Sequence, residues 1–243
     1  MKNVILAAFF LIIYLSGSAQ EQLTSQAIID KAIEAHGGDH YKEASYSYTF
    51  RNHEYRYIRD KGEFTYSKYS PQTGIRDVLT NSGLTRYQGE AVIELTEKEI
   101  RKHSESVNSV HYFAFLPYFL RDPAVNHRKV GETIIKGQPY HQIEVTFDQE
   151  GGGVDFQDVY VYWIHRENYT VDYLAYSFHV NGGGVRFRSA YNKREIGGIT
   201  FQDYLNHKHD KHTPVAALGD LYDRDELSVL SKIELVDIKR IKT

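Results

Sequence analysis

The run His207-Lys208-His209-Asp210-Lys211-His212 holds the densest set of metal-ligating side chains in the sequence. His207 and His209 fall on one face of a strand, and neutral imidazoles are good zinc ligands. Lys208 and Lys211 oppose a cation there, and no HExxH pair lies elsewhere, so the run reads as a solvated rim without a metal. His36 and His40 flank Gly37-Gly38-Asp39 and read as helix-terminus residues, where imidazolium meets the negative end of the helix dipole. Carboxylate pairs for acid–base or cation work are available in Asp155 with Asp158 and in Asp148 with Glu150. Asp203 with a histidine is a third arrangement. No activated nucleophile accompanies them: GxSxG, P-loop and GxGxxG motifs are absent. The glycines at 151–153 and 182–184 precede strands, whereas a phosphate cradle needs a helix N-terminus. With no Cys, the chain has no thiol nucleophile, thiolate zinc site, disulfide or lipid-modified N-terminal cysteine.

Elements must position whatever chemistry remains. The 243 residues carry 41% apolar and 25% charged side chains, the balance of a globular chain with a sizeable core. Twenty Tyr and 12 Phe against five Pro favour pleated, half-buried β surfaces. The 29 basic and 32 acidic residues give a net charge of −3, with no basic run longer than a pair, so a nucleic-acid partner is not expected. No cofactor is implied either. Lys2, the apolar run Val4 to Leu15 and the small residues Gly17-Ser18-Ala19 are the three regions of a secretory signal peptide, with cleavage expected after Ala19. Twelve apolar residues rise only about 18 Å as a helix, too short for the roughly 30 Å of hydrocarbon in a bilayer. No later stretch is apolar enough to span one. The expected product is an exported, periplasmic chain whose residues 20–243 form one domain.

Thr24 or Ser25 caps a helix through Ala27, Ile28, Ile29, Ala32, Ile33 and Ala35, which Gly37-Gly38 stops. Aromatic and β-branched runs follow over 46–57, 63–69, 74–79, 84–87 and 91–95, an antiparallel meander. Between Lys98 and Pro123 the period switches, and two short, very apolar helices interrupted at Pro117 are expected. A second run of strands covers 129–135, 140–147, 158–165, 171–180, 185–194, 199–208 and 230–241. No helix of crossover length divides them, which excludes parallel βαβ architecture. With a loop over 181–184, Phe178 would pair with Phe187, Tyr176 with Ser189 and Leu174 with Tyr191. That gathers the apolar residues on one face and turns Arg186 and Arg188 away from it. A bulge or odd loop at Gly197-Gly198 then brings Phe201, Leu205 and Asp203 to the same face. Arg186, Arg188, Lys193 and Arg194 would form an outward basic stripe, the feature of a surface-interaction protein.

Several segments carry a resemblance. They are Ala35-His36-Gly37-Gly38, Gly131-Glu132 through Ile135-Lys136-Gly137-Gln138-Pro139-Tyr140 into Ile143-Glu144-Val145, Val161-Tyr162-Trp163-Ile164, and Ile196-Gly197-Gly198-Ile199 before Phe201. With the order helix, meander, helical insertion, meander, the chain resembles the lipoprotein-carrier family of LolA and LolB, and in particular its exported Gram-negative members. The resemblance implies a mainly β (α+β) fold, an antiparallel half-barrel whose concave face is partly plugged by the inserted helices and holds a hydrophobic ligand or acyl chain. It also implies an outer-membrane or lipoprotein partner. No position matches the carrier's cargo-releasing arginine, so lipoprotein trafficking is not inherited with the fold.

The segment Tyr112 to Phe119 has more aromatic surface than one face of a short helix buries. Tyr112, Phe113, Phe115, Leu116 and Phe119 are therefore expected to line one wall of the ligand cavity. Trp163, Tyr176, Phe178, Phe187 and Phe201 are expected on the other. The competing enzyme reading, a hydrolase-like protein using a loop carboxylate or Asp203 with a histidine, requires a convergent titratable pair at the cavity mouth.

Overall fold

The structure, a computed structural model, describes residues 23–150, 156–179 and 182–242. The signal segment, the triglycine at 151–153, Asp155 and Val180 lie outside the described residues. Helix α1 (Ser25–His36) begins at Thr24, whose hydroxyl accepts from the Ala27 amide at 3.2 Å. Its buried stripe is Ile28, Ile29, Ala32, Ile33 and His36. Gly38, at φ +52°, turns the chain into a 3₁₀ segment ending at Tyr41.

The first meander is β1 (Ala44–Phe50), β2 (His53–Asp60), β3 (Glu63–Ser70), β4 (Ile75–Thr80), β5 (Gly83–Gln88) and β6 (Ala91–Ile93). The run read as one strand over 46–57 is two strands. Arg51-Asn52, both at positive φ (47° and 61°), make a tight hairpin turn without glycine.

The helical insertion also differs from expectation. It is one helix of 18 residues, α2 (Glu97–Ala114), followed by a 3₁₀ turn at Tyr118–Arg121. Charged residues fill its first half and its buried stripe is Val107, His111 and Ala114, so it is amphipathic and not apolar all round. A capping box starts it: the Thr96 hydroxyl accepts from the Glu99 amide, and the Glu99 carboxylate accepts from the Thr96 amide at 2.9 Å. The Thr96-x-x-Glu99 signature marks the helix start, ahead of the Lys98 at which the change of period was read. Thr96→Ala is expected to cost about 1 kcal/mol, read as a small drop in denaturant midpoint at constant slope.

The second meander is β7 (Val125–Ile135), β8 (Gln138–Phe147), β9 (Tyr160–His165), β10 (Val171–Phe178), β11 (Gly184–Ile196) and β12 (Ile199–Lys208). The short helix α3 (Leu218–Asp223) follows, then β13 (Ser228–Ile233) beside β12 and β14 (Val236–Arg240) beside β1. The two seven-stranded antiparallel sheets therefore join through Leu235, between β13 and β14. Arg194 locks this junction by donating to the Leu235 carbonyl (2.6 Å) and to Asp203 (3.0 Å), while Asp203 accepts the Leu235 amide (3.0 Å). Among the described residues β6 and β7 do not pair, so the sheets make an open half-barrel, with α2 on the inner face of β3–β5.

The β10–β11 register is displaced from the expected one. Phe187 faces Ala175, Tyr176 faces Arg186 and Leu174 faces Arg188. An odd displacement exchanges the faces, so Arg188 points inward with Leu174 and Tyr176, and Phe187 outward. The cause is that this sheet is buried on both sides. Ile143, Tyr162, Ile164 and Leu174 join the main core. Ile135, Val161, Trp163, Ala175, Val185 and Phe187 form a second cluster under Leu218 of α3. Apolar residues in both phases leave the pattern unable to choose a register. At Gly197-Gly198 the turn is a regular two-residue one, pairing Ile196 with Ile199. The expected irregularity lies instead at Asn192-Lys193, between the Tyr191 and Arg194 pairings.

Candidate functional site

The inner face of the half-barrel is mostly solid. Phe115 stacks on Tyr57 with ring centroids 3.6 Å apart and meets Phe201 edge-on at 5.3 Å, and Tyr57 stacks on Tyr66 at 4.7 Å. His111 sits among Tyr48, Tyr55, Tyr57 and Tyr66. The Tyr48 hydroxyl hydrogen-bonds its Nδ1 at 2.6 Å, and burial pulls its pKa down to about 3, so it is a neutral packing residue. Neutral His36 accepts the Val171 amide at 3.0 Å through Nε2, and burial with Lys193 nearby lowers its pKa to about 4.

A cavity of about 250 Å³ opens beside α2. One wall is α2, through Ala114 of its buried stripe and the neighbouring Ser109, Val110 and Phe113. Phe50 and Arg51 at the β1–β2 turn form the rim, and Arg188, Gln202 and Tyr204 form the floor on β11 and β12. Ile233 and Leu235, at the crossing between the sheets, close the far side. Gln202 donates to the Val171 carbonyl (2.9 Å) and to the Tyr204 hydroxyl (2.7 Å), which fixes both side chains. Desolvation raises the Tyr204 pKa to about 12, so its hydroxyl stays protonated.

Of the residues expected around the ligand, Phe113 lines this cavity. Tyr176 stands just behind it, near Phe113 and hydrogen-bonded to Arg188. Tyr112 packs on Phe119 and Phe147, Leu116 is buried in the core, and Phe178 lies under Arg186. Phe115, Phe119 and Phe201 are in the solid part of the core. Trp163 and Phe187 lie on the other side of the sheet, Phe187 for the register reason given above and Trp163 because it alternates with the inward-facing Tyr162 and Ile164. There α3 approaches so closely that a Cβ on Gly219 would come within 2.8 Å of the Trp163 indole. Every other lining residue was missed: Phe50, Arg51, Ser109, Val110, Ala114, Arg188, Gln202, Tyr204, Ile233 and Leu235. Alternation in Val185-Arg186-Phe187-Arg188 was the signal for Arg188, and it was read with the faces reversed.

The expected basic stripe does not exist as a surface, since Arg188 is buried and Arg194 is held by Asp203 and Leu235. Asp203 is fully engaged by Arg194, Asn192 and the Leu235 amide, and no histidine contacts it. His207 bonds Ser189 at 3.1 Å through Nε2, but both are buried on the outer face and its Nδ1 has no orienting partner. That dyad lacks the third group that activates a serine. His209 instead bonds Thr213. Among the residues lining the cavity there is neither a carboxylate nor an imidazole.

Two antiparallel sheets joined at one edge, open at the other and carrying helices on the inner face define a LolA-like half-barrel. The architecture is similar to that of a LolA superfamily protein from Nitrosomonas europaea, at 13% identity over 91% of this chain and 96% of that one, with a TM-score of 0.51. Looser likenesses are a DUF1329 family protein from Desulfovibrio piger (11% identity, 88% and 92% covered, TM-score 0.49) and a putative outer membrane lipoprotein-sorting protein domain from Vibrio parahaemolyticus (9% identity, 87% and 91% covered, TM-score 0.45). The chain belongs to the family described as "Family of unknown function (DUF6503)", which matches residues 4–235. No curated protein matches the sequence. Among the described residues, no helix is long and apolar enough to cross a membrane.

Proposed function

We propose that this protein is exported and binds a hydrophobic ligand, the acyl portion of a lipid or of a lipoprotein, in the cavity beside α2. In this reading it is a carrier or sensor and not a catalyst. The observation that carries it is the cavity itself, walled by Phe50, Val110, Phe113, Ala114, Ile233 and Leu235, with no acid–base pair in its lining. A catalytic site would need such a pair within reach of a substrate. At about 250 Å³ the cavity lies just below the roughly 300–1,000 Å³ of drug-sized pockets, so it suits a short chain or the first part of a longer one. The leader at Lys2 to Ala19 supports delivery to the periplasm, where a lipoprotein or an outer-membrane component is the natural partner.

Filling the cavity tests the reading. Val110→Trp puts an indole into the space between α2 and Tyr204. It should weaken saturable binding of a dansyl-labelled undecanoic acid by more than about tenfold. The melting temperature should change little, because the cavity and not the core receives the added volume. Wild-type protein that shows no saturable uptake of the probe would end the proposal. The intact mass of exported protein should begin at Gln20.

A further inference from the structure

We infer that the cavity selects an amphiphile with an anionic oxyanion head, a carboxylate or a phosphate, and that Arg188 is the group that receives it. The inference rests on the binding role proposed above and names the ligand class for that same site.

Arg188 is only 8% exposed and lies on the cavity floor. Among the described residues no carboxylate pairs with it: Asp203 is taken by Arg194, Asp172 by Lys193 and Asp77 by Arg86. Among the described residues its one hydrogen bond runs from Nη2 to the Tyr176 hydroxyl at 3.0 Å, and its Nε–H is buried with no partner there. The guanidinium lies over the Phe113 ring at 4.0 Å and near the Tyr176 ring at 5.2 Å. Those ring faces offset part of the lost hydration, but they leave the charge uncompensated and the Nε donor unused. A buried cation of this kind is stable when an anion completes it, and guanidinium offers that anion a planar, two-donor edge. Arg51 at the rim adds a second positive charge, and the lining has no negative one. The apolar wall of Val110, Ala114, Ile233 and Leu235 then holds the chain attached to that head.

The test compares laurate, dodecyl phosphate and the uncharged 1-dodecanol as competitors for the dansyl probe on delipidated protein. Laurate or dodecyl phosphate, or both, should bind at least about tenfold more tightly than dodecanol, and whichever leads identifies the head as carboxylate or phosphate. In Arg188→Gln this preference should vanish, laurate and dodecyl phosphate binding no more tightly than dodecanol to the same variant, and Arg188→Lys should keep part of it. Equal binding of charged and uncharged chains by the wild type would overturn the inference and leave the cavity reading intact. Should none of the three bind, both fall. If Arg188→Gln does not fold, the wild-type ranking alone decides.

Discussion

Replacing Phe115 by alanine is expected to remove about 3–5 kcal/mol of folding stability, a large share of the 5–15 kcal/mol typical of a domain. The ring is 0% exposed. It is stacked on Tyr57 and meets Tyr46, Tyr48 and Phe201 within 6.3 Å, so truncation leaves a hole on three sides rather than a widened pocket. Those neighbours belong to β1, β2 and β12, which are fixed by strand pairing and cannot collapse into the space. Phe113→Ala makes the informative contrast. Its ring already borders the cavity and is partly exposed, so its truncation should cost clearly less and should alter ligand binding. Urea melts of the two variants, with the slope held fixed, measure the difference. Equal losses would mean that the cavity is not where the structure puts it.

These two residues also show how far the sequence could be read. The density of aromatics from Tyr112 to Phe119 signalled correctly that this segment faces several partners. It could not signal which ring packs and which lines a space, because both environments select the same side chains. On a helix Phe113 and Phe115 differ by about 200°, and the turn after Ala114 removes even that guide. The elements themselves were more legible. Thr24 and the glycines after His36 bounded α1, and the absence of long crossovers gave antiparallel sheets, whereas the half-barrel followed only from the resemblance to the LolA and LolB family. The β10–β11 hairpin was misread because Leu174, Tyr176 and Phe178 alternate against Val185 and Phe187 in a sheet covered on both faces. In a sheet with one wet face the same alternation would have fixed the register. Since Arg188 depends on that register, the most distinctive group in the candidate site was hidden by a backbone question and not by its own chemistry.

Acidification from pH 7 to pH 5 should destabilise the protein steeply. His36 and His111 are buried neutral, with folded-state pKa values of about 4 and about 3 against an ordinary 6.5. The unfolded chain therefore binds the protons first. Stability is fully present above pH 6.5 and falls as the pH drops below it, until the folded-state values are reached. Each histidine contributes a slope of about 1.4 kcal/mol per pH unit in that window, so the pair should remove about 4 kcal/mol between pH 7 and pH 5. The geometry agrees with the sign. A proton on His36 Nε2 would displace the Val171 amide it accepts, and one on His111 would put a charge inside a fully buried cage of tyrosine rings. The buried His207, also lowered by desolvation, adds in the same direction. Guanidinium melts at pH 7, 6 and 5 measure the slope. His36→Gln and His111→Gln should each reduce it by about one proton's worth, 1.4 kcal/mol per unit, whatever they do to stability at pH 7. A wild-type stability flat from pH 7 to pH 5 would show that these imidazoles are hydrated in the folded protein, and with them the cage of tyrosines around His111 would have to be open to water.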